Sequence, residues 1–547
     1  SALCWVNGWR TDPEEIVSGR TARGRGRRMN VAQFFEHWSI VENPFRGEEA
    51  RHDDVLERLN RAGTAAGKPA GGSMHSDFEK ILGELSRPST SVVFGEKGSG
   101  KTAIRLQIAE RVAAFNEKHP DAKIFLIDYD DLNQPVAELN ERFASGKDDL
   151  AAFKKFRLVD HMDAMLATAT DRVVAALFGE SPDRPAADLG DEPVKVARRM
   201  AAPLRHDLLL LQAVYDPADN DGSRTGRLRR HLKISPERSE VLWRLAVVGG
   251  WAPAAGMLFV WLFPGQTAGG FMRDVFGVMF LLLLVAYLVV LGKRLVWDRL
   301  ALRRLARRVR DEMRTTPRTV ESIAGSVSMI DAPSRSHSVL PMSGGVDEPR
   351  YAMFGRLRRV LARYGYRGLI VLVDRVDEPT LVNGDADKMR EMIWPLFNNK
   401  FLQQEHFGVK LLLPIELRHA LFKESAAFFQ EARLDKQGFV ERLTWSGPML
   451  YDLCNARLTA CRSGDAEAVS LIDLFAEDVS RQDVVDALDQ MHQPRDAFKF
   501  LYRCFNEHCS NVTSEEGAWR VPRLVLDGVR KMESDRVQQL YRGITPA

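Results

Sequence analysis

One stretch of the sequence combines glycine, lysine and threonine at a spacing that suits a phosphate chain. Its eight residues are Gly95, Glu96, Lys97, Gly98, Ser99, Gly100, Lys101 and Thr102. Glycines let the backbone curl so that successive N–H groups face one anion. The lysine can then reach the β- and γ-phosphates of a nucleotide, and the threonine hydroxyl can bind Mg²⁺. The pattern predicts a nucleotide-binding loop in which Lys101 also assists catalysis.

The flanking residues predict the two elements that would hold this loop. The apolar run 91–94 predicts a short buried strand, and a helical pattern begins at Ala103. The N-terminus of such a helix carries partial positive charge, which favours a bound phosphate. An ordinary glycine-rich turn is the alternative, but a strand before the loop and a helix after it favour nucleotide binding.

Carboxylates far along the chain could complete this chemistry. Five apolar residues, 369–373, precede Asp374, which predicts a core strand whose terminal acid holds Mg²⁺ together with Thr102. Asp377 and Glu378 follow on the turn, and either of them could orient the water that attacks the phosphate. Capping of a helix N-terminus is the alternative role for both acids.

Two uncharged segments lie between the loop and these carboxylates. Residues 245–263 and 275–292 are each long enough to cross the core of a bilayer as a helix. Lys and Arg are concentrated before the first segment and after the second, whereas the stretch that joins them has Arg273 as its one basic residue. This asymmetry predicts that both flanks are cytoplasmic and lie near anionic lipid. Two buried helices of a soluble domain are the alternative.

Composition limits the class of protein. Of the 547 residues, 45% are hydrophobic and 28% are charged, which are values of a globular chain and exclude wholesale disorder. The formal net charge of +3 gives no support for a nucleic-acid partner. Residues 1–28 differ from the rest because they are rich in Arg and Gly. We predict that they are disordered and precede a natural start at Met29; a flexible basic arm is the alternative.

A nucleotide-binding sheet interrupted between its two motifs by membrane-spanning helices resembles the KAP family of P-loop NTPases. Residues 374–378, Asp-Arg-Val-Asp-Glu, resemble the Walker B segment of STAND-type NTPases, although the KAP form is rich in Asp-Asp and Arg375 departs from the small or acidic residue common there. The resemblance implies a membrane-associated ATPase with ATP and Mg²⁺ as ligands. It also implies that hydrolysis is coupled to conformational change in signalling or defence assemblies.

Two arginines and one turn extend the resemblance. Residues 494–496, Pro-Arg-Asp, resemble the sensor-2 position of AAA+-like ATPases, which implies that Arg495 reaches the γ-phosphate; an exposed arginine at a helix start is the alternative. Arg442 is a candidate for an arginine supplied by a neighbouring copy, and a homo-oligomer is predicted for that reason. Residues 43–45, Asn-Pro-Phe, resemble a turn on the adenine side of such sites, with a plain structural turn as the alternative.

Together these patterns predict an α/β fold. It consists of a P-loop NTPase parallel sheet with a helical insertion, which contains a transmembrane helical hairpin, and an all-α C-terminal lid. The predicted parts are an extension (1–28), the first part of the sheet (29–145), the insertion (146–320), the second part of the sheet (321–440) and the lid (441–547), with a long loop over 314–348. We expect an ATPase of the bacterial inner membrane, mostly cytoplasmic and acting with protein partners. A slow or non-hydrolysing nucleotide-dependent switch is the alternative.

Overall fold

The fold is known from a computed structural model. It describes residues 28–46, 50–65, 74–144, 150–180, 185–263, 270–336, 338–340, 347–434, 437–463, 469–513 and 516–541. Of the N-terminal extension, 1–28, only Arg28 is among the described residues. The prediction that the extension is disordered therefore concerns residues outside the described part of the chain. The described chain is a mixed α/β structure that is mostly helical.

Five parallel strands form a sheet. They are β1 (Ser91–Gly95), β2 (Lys123–Tyr129), β3 (Tyr366–Val373), β4 (Phe407–Pro414) and β5 (Gly438–Val440), in the spatial order β2–β3–β4–β1–β5. Parallel strands covered on both faces are expected to be apolar along their length, and β1 and β4 are buried throughout. The predicted parallel sheet is confirmed. β4 lies between β1, which precedes the glycine-rich loop, and β3, which precedes Asp374.

Helices make up most of the remaining described chain. Before β3 they are α1 (Val31–His37), α2 (Asp54–Ala65), α3 (Phe78–Leu82), α4 (Lys101–Lys118), α5 (Asn133–Phe143), α6 (Leu158–Phe178), α7 (Pro193–Arg199), α8 (Ala202–Tyr215), α9 (Ser223–His231), α10 (Arg238–Gly249), α11 (Trp251–Leu262), α12 (Gly270–Gly292), α13 (Asp298–Glu312), α14 (Val320–Ser328), α15 (Ala332–Ser336) and α16 (Glu348–Ala362). After β3 they are α17 (Ala386–Ile393), α18 (Asn399–Leu402), α19 (Ile415–Leu421), α20 (Ala426–Ala432), α21 (Gly447–Ala460), α22 (Arg481–Asp489), α23 (Pro494–Asn511) and α24 (Arg523–Tyr541).

The sheet is the middle of three layers. Successive side chains of a strand point to opposite faces, and Val92 and Phe94 of β1 belong to the large buried cluster that also includes residues of α6, α8 and α16. Val93, between them, packs with α3 and α4 on the other face. The carboxyl ends of the strands are left at one edge of the sheet, and the glycine-rich loop leaves β1 at that edge.

The helices between β2 and β3 form a packed unit that contains buried ion pairs. Arg350 Nη2 lies 3.0 Å from Asp163 Oδ2, and both side chains are fully buried. The Tyr215 hydroxyl donates to the other oxygen of the same carboxylate at 2.9 Å. Breaking a buried pair of this kind leaves an uncompensated charge, so these residues fix how the helices pack.

α14 and α15 lie where the sequence predicts a long loop over 314–348, and that prediction is wrong for these residues. The serines that suggest a loop are buried donors on α14. Ser326 Oγ donates to Asp219 Oδ2 at 2.9 Å, and Ser322 Oγ donates to the Asp219 carbonyl. Small polar side chains let α14 approach the carboxylate closely, which composition alone does not reveal.

Two long apolar helices stand out from this unit. The continuous helices Arg238–Leu262 and Arg273–Glu312 are long and apolar enough to cross a membrane. In the most apolar 18-residue segment of each helix, the buried share is 6% for the first helix and 0% for the second. They pack antiparallel: the Tyr287 hydroxyl donates to the Val247 carbonyl at 3.2 Å, and Arg294, later in the second helix, pairs with Glu240, earlier in the first. Most of their large apolar side chains are exposed in the described chain, so these apolar segments do not form part of its buried core.

The first helices of the described chain pack with the last ones. Apolar residues of α1 and α2 share a buried cluster with α21 to α24, which we call the helical unit. Phe45 is 1% exposed and stacks on Phe505 at a centroid distance of 5.8 Å. Arg457 Nε donates to the Pro44 carbonyl at 2.6 Å. The Asn-Pro-Phe segment is therefore a structural turn inside the helical unit, and Phe45 is not accessible to an adenine.

Candidate functional site

The loop formed by residues 95–102 connects β1 to α4 at the carboxyl edge of the sheet. Gly98 and Gly100 both have φ of +95°, a conformation that side chains with a Cβ rarely adopt. α4 begins at Lys101, directly after Gly100. The two left-handed residues turn the chain sharply enough for the helix N-terminus to face the loop.

The Lys101 side chain lies across this loop. Its Nζ donates to the carbonyls of Gly95 and Glu96 at 2.7 and 2.9 Å. Burial lowers the pKa of Lys101, while the charges of Asp377 and Asp374 oppose that shift. The lysine is therefore held between the loop and the acids that follow β3.

Thr102 and Asp374, the two predicted metal ligands, are in contact. Thr102 Oγ1 donates to Asp374 Oδ2 at 3.0 Å. The carboxylate is 1% exposed at the end of β3, and burial raises its pKa. The structure thus brings together the two motifs that the sequence places far apart.

This donor pair fits Mg²⁺. A hydroxyl and a carboxylate are the hard oxygen ligands that Mg²⁺ prefers, and Mg²⁺ completes its shell with substrate phosphates and water rather than with further protein groups. In the described ranges no group of three or more His, Cys, Asp or Glu side chains could hold a metal ion. If Mg²⁺ binds at this loop, Thr102 and Asp374 are the residues that would hold it.

Arg105, which the sequence patterns do not single out, lies beside the same carboxylate. Its Nε is 3.4 Å from Asp374 Oδ2, and its Nη1 is 3.0 Å from Asp130 Oδ2. The side chain is only 9% exposed. Asp130, directly after β2, is part of this ion pair and also pairs with Arg51. The spacing of the sequence could have indicated Arg105, since positions 102 and 105 lie on one face of a helix.

The two acids predicted to orient water have different surroundings. The charge of Asp377, which is half-buried, acts directly on Lys101. Glu378 is exposed and forms an ion pair with Arg375, a residue with φ of +60°. Of the two candidates, Asp377 is therefore the acid whose charge acts on Lys101, whereas the Glu378 carboxylate is paired with Arg375.

The helical unit contacts the loop directly. Trp445 Nε1 donates to the Ser99 carbonyl at 2.8 Å. A Cβ placed on Gly98 would lie 3.1 Å from the Cβ of Arg495, so the predicted sensor arginine sits over the loop. Among the described residues Arg495 has no ion pair. Arg442, predicted to come from a neighbouring copy, binds Glu96 of its own chain.

Comparison of the chain with protein-family models, with curated proteins and with solved structures finds no match. The function of the site is therefore argued from its geometry.

The ion pair of Arg105 can be tested by its effect on stability. Arg105→Gln leaves the buried carboxylates of Asp374 and Asp130 without their shared cation. We expect a loss of about 3 kcal/mol in the free energy of unfolding, measured by denaturant titration in detergent. The matched control is Arg111→Gln on the same helix, whose partner Glu79 is exposed; that change should cost about 1 kcal/mol or less. Equal losses in the two variants would contradict a buried role for Arg105.

Proposed function

We propose that this chain is a membrane-anchored ATPase that binds Mg-ATP at the 95–102 loop and uses hydrolysis to drive conformational change or assembly. One observation carries the proposal. The Thr102 hydroxyl donates to the buried Asp374 carboxylate at 3.0 Å, next to a lysine that lies across a glycine-rich loop at a helix N-terminus. Loop, lysine, hydroxyl and acid are the parts that phosphoryl-transfer sites require.

Each residue has a distinct role in this proposal. The backbone of the loop and Lys101 hold the phosphate chain, and Thr102 with Asp374 holds Mg²⁺, which neutralises phosphate charge when bound. Asp377 orients the attacking water. Arg495 supplies positive charge toward the terminal phosphate, where negative charge develops during transfer.

The exposed apolar helices support the membrane part of the proposal. Outward-facing side chains such as Leu282, which is 63% exposed, have no apolar partner in the described chain that would shield them from water. Exposed arginines on α13, among them Arg303 and Arg307, follow the second apolar helix and would meet anionic headgroups of the inner leaflet. This arrangement supports association with a membrane. That the membrane is the bacterial inner membrane, that most of the chain is cytoplasmic and that the chain is similar to the KAP family are parts of the proposal that follow from the sequence patterns. Signalling or defence roles, protein partners and a homo-oligomer stay predictions, and both Arg442 and Arg495 lie beside the loop of their own chain.

A second candidate function is a nucleotide-dependent switch that hydrolyses slowly or not at all. Two contacts favour it. Glu378 is held by Arg375, so it is not directed at the loop, and Arg105 already lies beside Asp374. Stoichiometric retention of ATP without multiple turnovers, in a single-turnover assay on detergent-solubilised protein, would favour the switch over the ATPase.

Lys101→Ala is the direct test of the site. We expect loss of ATP binding and turnover, because the positive charge that reaches the phosphates is removed. The matched control is Lys118→Ala, which changes an exposed lysine at the other end of α4. Unchanged ATPase activity in Lys101→Ala, measured by phosphate release with Mg²⁺ present, would remove the assignment.

The two acids after β3 can be separated by conservative changes. Asp377→Asn should lower turnover by about 100-fold or more, the effect typical of losing a group that handles a proton, while ATP binding persists. Glu378→Gln should change turnover by only about 5-fold or less, because Glu378 points toward Arg375. Full turnover in both variants would place the water-orienting group elsewhere.

The membrane anchor predicts behaviour on fractionation. The wild-type chain should stay with membranes through an alkaline wash and enter solution with detergent. Replacing Leu281 and Leu282 of α12 with Asp should impair insertion, since each charge at the centre of a span costs roughly 3 kcal/mol. Leu524→Asp, at an exposed leucine of the helical unit, is the control and should not change retention. A wild-type chain that is soluble without detergent would contradict the anchor.

A further inference from the structure

The Glu96 side chain links the 95–102 loop, through hydrogen bonds, to residues that follow β5 in the sequence. Arg442 Nη2 donates to one carboxylate oxygen of Glu96, and Gln493 Nε2 donates to the other. The carboxylate is 17% exposed. Both of its oxygens therefore bind donors that come from outside the loop, one after β5 and one directly before α23.

Glu96 lies at the end of the loop that faces the terminal phosphates of a nucleotide. Lys101 Nζ donates to the Glu96 carbonyl at 2.9 Å, and a lysine in this position reaches the β- and γ-phosphates. With a nucleotide bound as proposed, the Glu96 carboxylate would therefore lie beside the negatively charged phosphates. Like charges this close repel each other.

Arg442 can bind either anion. A guanidinium presents its N–H groups to carboxylates and phosphates with the same geometry. The Arg442 side chain is 48% exposed, and its long aliphatic stem allows the guanidinium to change position. Arg495, in the first turn of α23, also lies close to the loop, with its Cβ 3.1 Å from a Cβ placed on Gly98.

We propose that Glu96 and Arg442 form a specificity pair that makes the site respond to the terminal phosphate of a nucleoside triphosphate. With a diphosphate, Arg442 stays on Glu96. With a triphosphate, Arg442 moves from the carboxylate to the terminal phosphate, while Gln493 stays on Glu96. This inference rests on the proposed function, because it assigns a nucleotide to the loop.

The test compares dissociation constants for Mg²⁺ complexes of a non-hydrolysable ATP analogue and of ADP, using the full chain in detergent. Glu96→Gln should tighten binding of the ATP analogue by about 5- to 10-fold, because it removes one negative charge and releases Arg442. Binding of ADP should change by about 2-fold or less. Arg442→Ala should weaken the ATP analogue by about 10-fold with little effect on ADP.

Glu441→Gln is the matched control, since Glu441 is the acid next to Arg442 and pairs with Arg418 instead. It should leave both constants unchanged, and the melting temperature of each variant shows that it is folded. If Glu96→Gln changes the dissociation constants of the ATP analogue and of ADP by the same factor, or changes neither, the specificity pair is overturned while the proposed function stands. If the wild-type chain binds neither nucleotide, the proposed function itself fails, and the specificity pair with it.

Discussion

The hydrogen bond between Thr102 and Asp374 depends on the way three strands pair. β1 and β3 are not neighbours, and each pairs with β4 between them. Gly95 is level with Pro414 on β4, and Val373 is level with Leu411. The two strands therefore end within three residues of each other along β4. That stagger, together with the turn at the start of α4, places a hydroxyl from one segment against a carboxylate from the other.

Burial gives this contact its chemical character. Asp374 is removed from water, which disfavours its charged form, and the nearby positive groups are Arg105 and Lys101. A buried carboxylate with a hydroxyl and two cations around it is a preorganised acceptor for positive charge. The same arrangement makes Arg105 a competitor for any further cation, because its Nε lies 3.4 Å from the oxygen that Thr102 also contacts.

The sequence predicts well those features that repeat with a period or fall in one short stretch. The buried strands and the loop belong to this group, because an apolar run and a glycine spacing are local signals. The pairing of Thr102 with Asp374 was predicted by combining two such local motifs, the loop and the apolar run that ends at Asp374. The ion pair of Arg105 with Asp130 was missed because it joins residues from a helix and from the end of a different strand. The contact of Arg442 with Glu96 was missed for the same reason, because it joins the loop to the segment that follows β5. Local patterns do not show which distant residues come into contact.

Among the described residues, the short helix α5 makes contacts both near the site and near the apolar helices. At its start, Asn133 Oδ1 accepts from the backbone N–H of Thr380, in the segment that follows Asp377. At its end, Arg142 donates to the carbonyls of Arg310 and Met313, where the long apolar helix finishes. An 11-residue helix spans about 16 Å, and that length separates the two sets of contacts. A displacement of the acid-bearing loop that keeps all of these hydrogen bonds therefore has to move α5, and with it the contacts at the end of the long apolar helix.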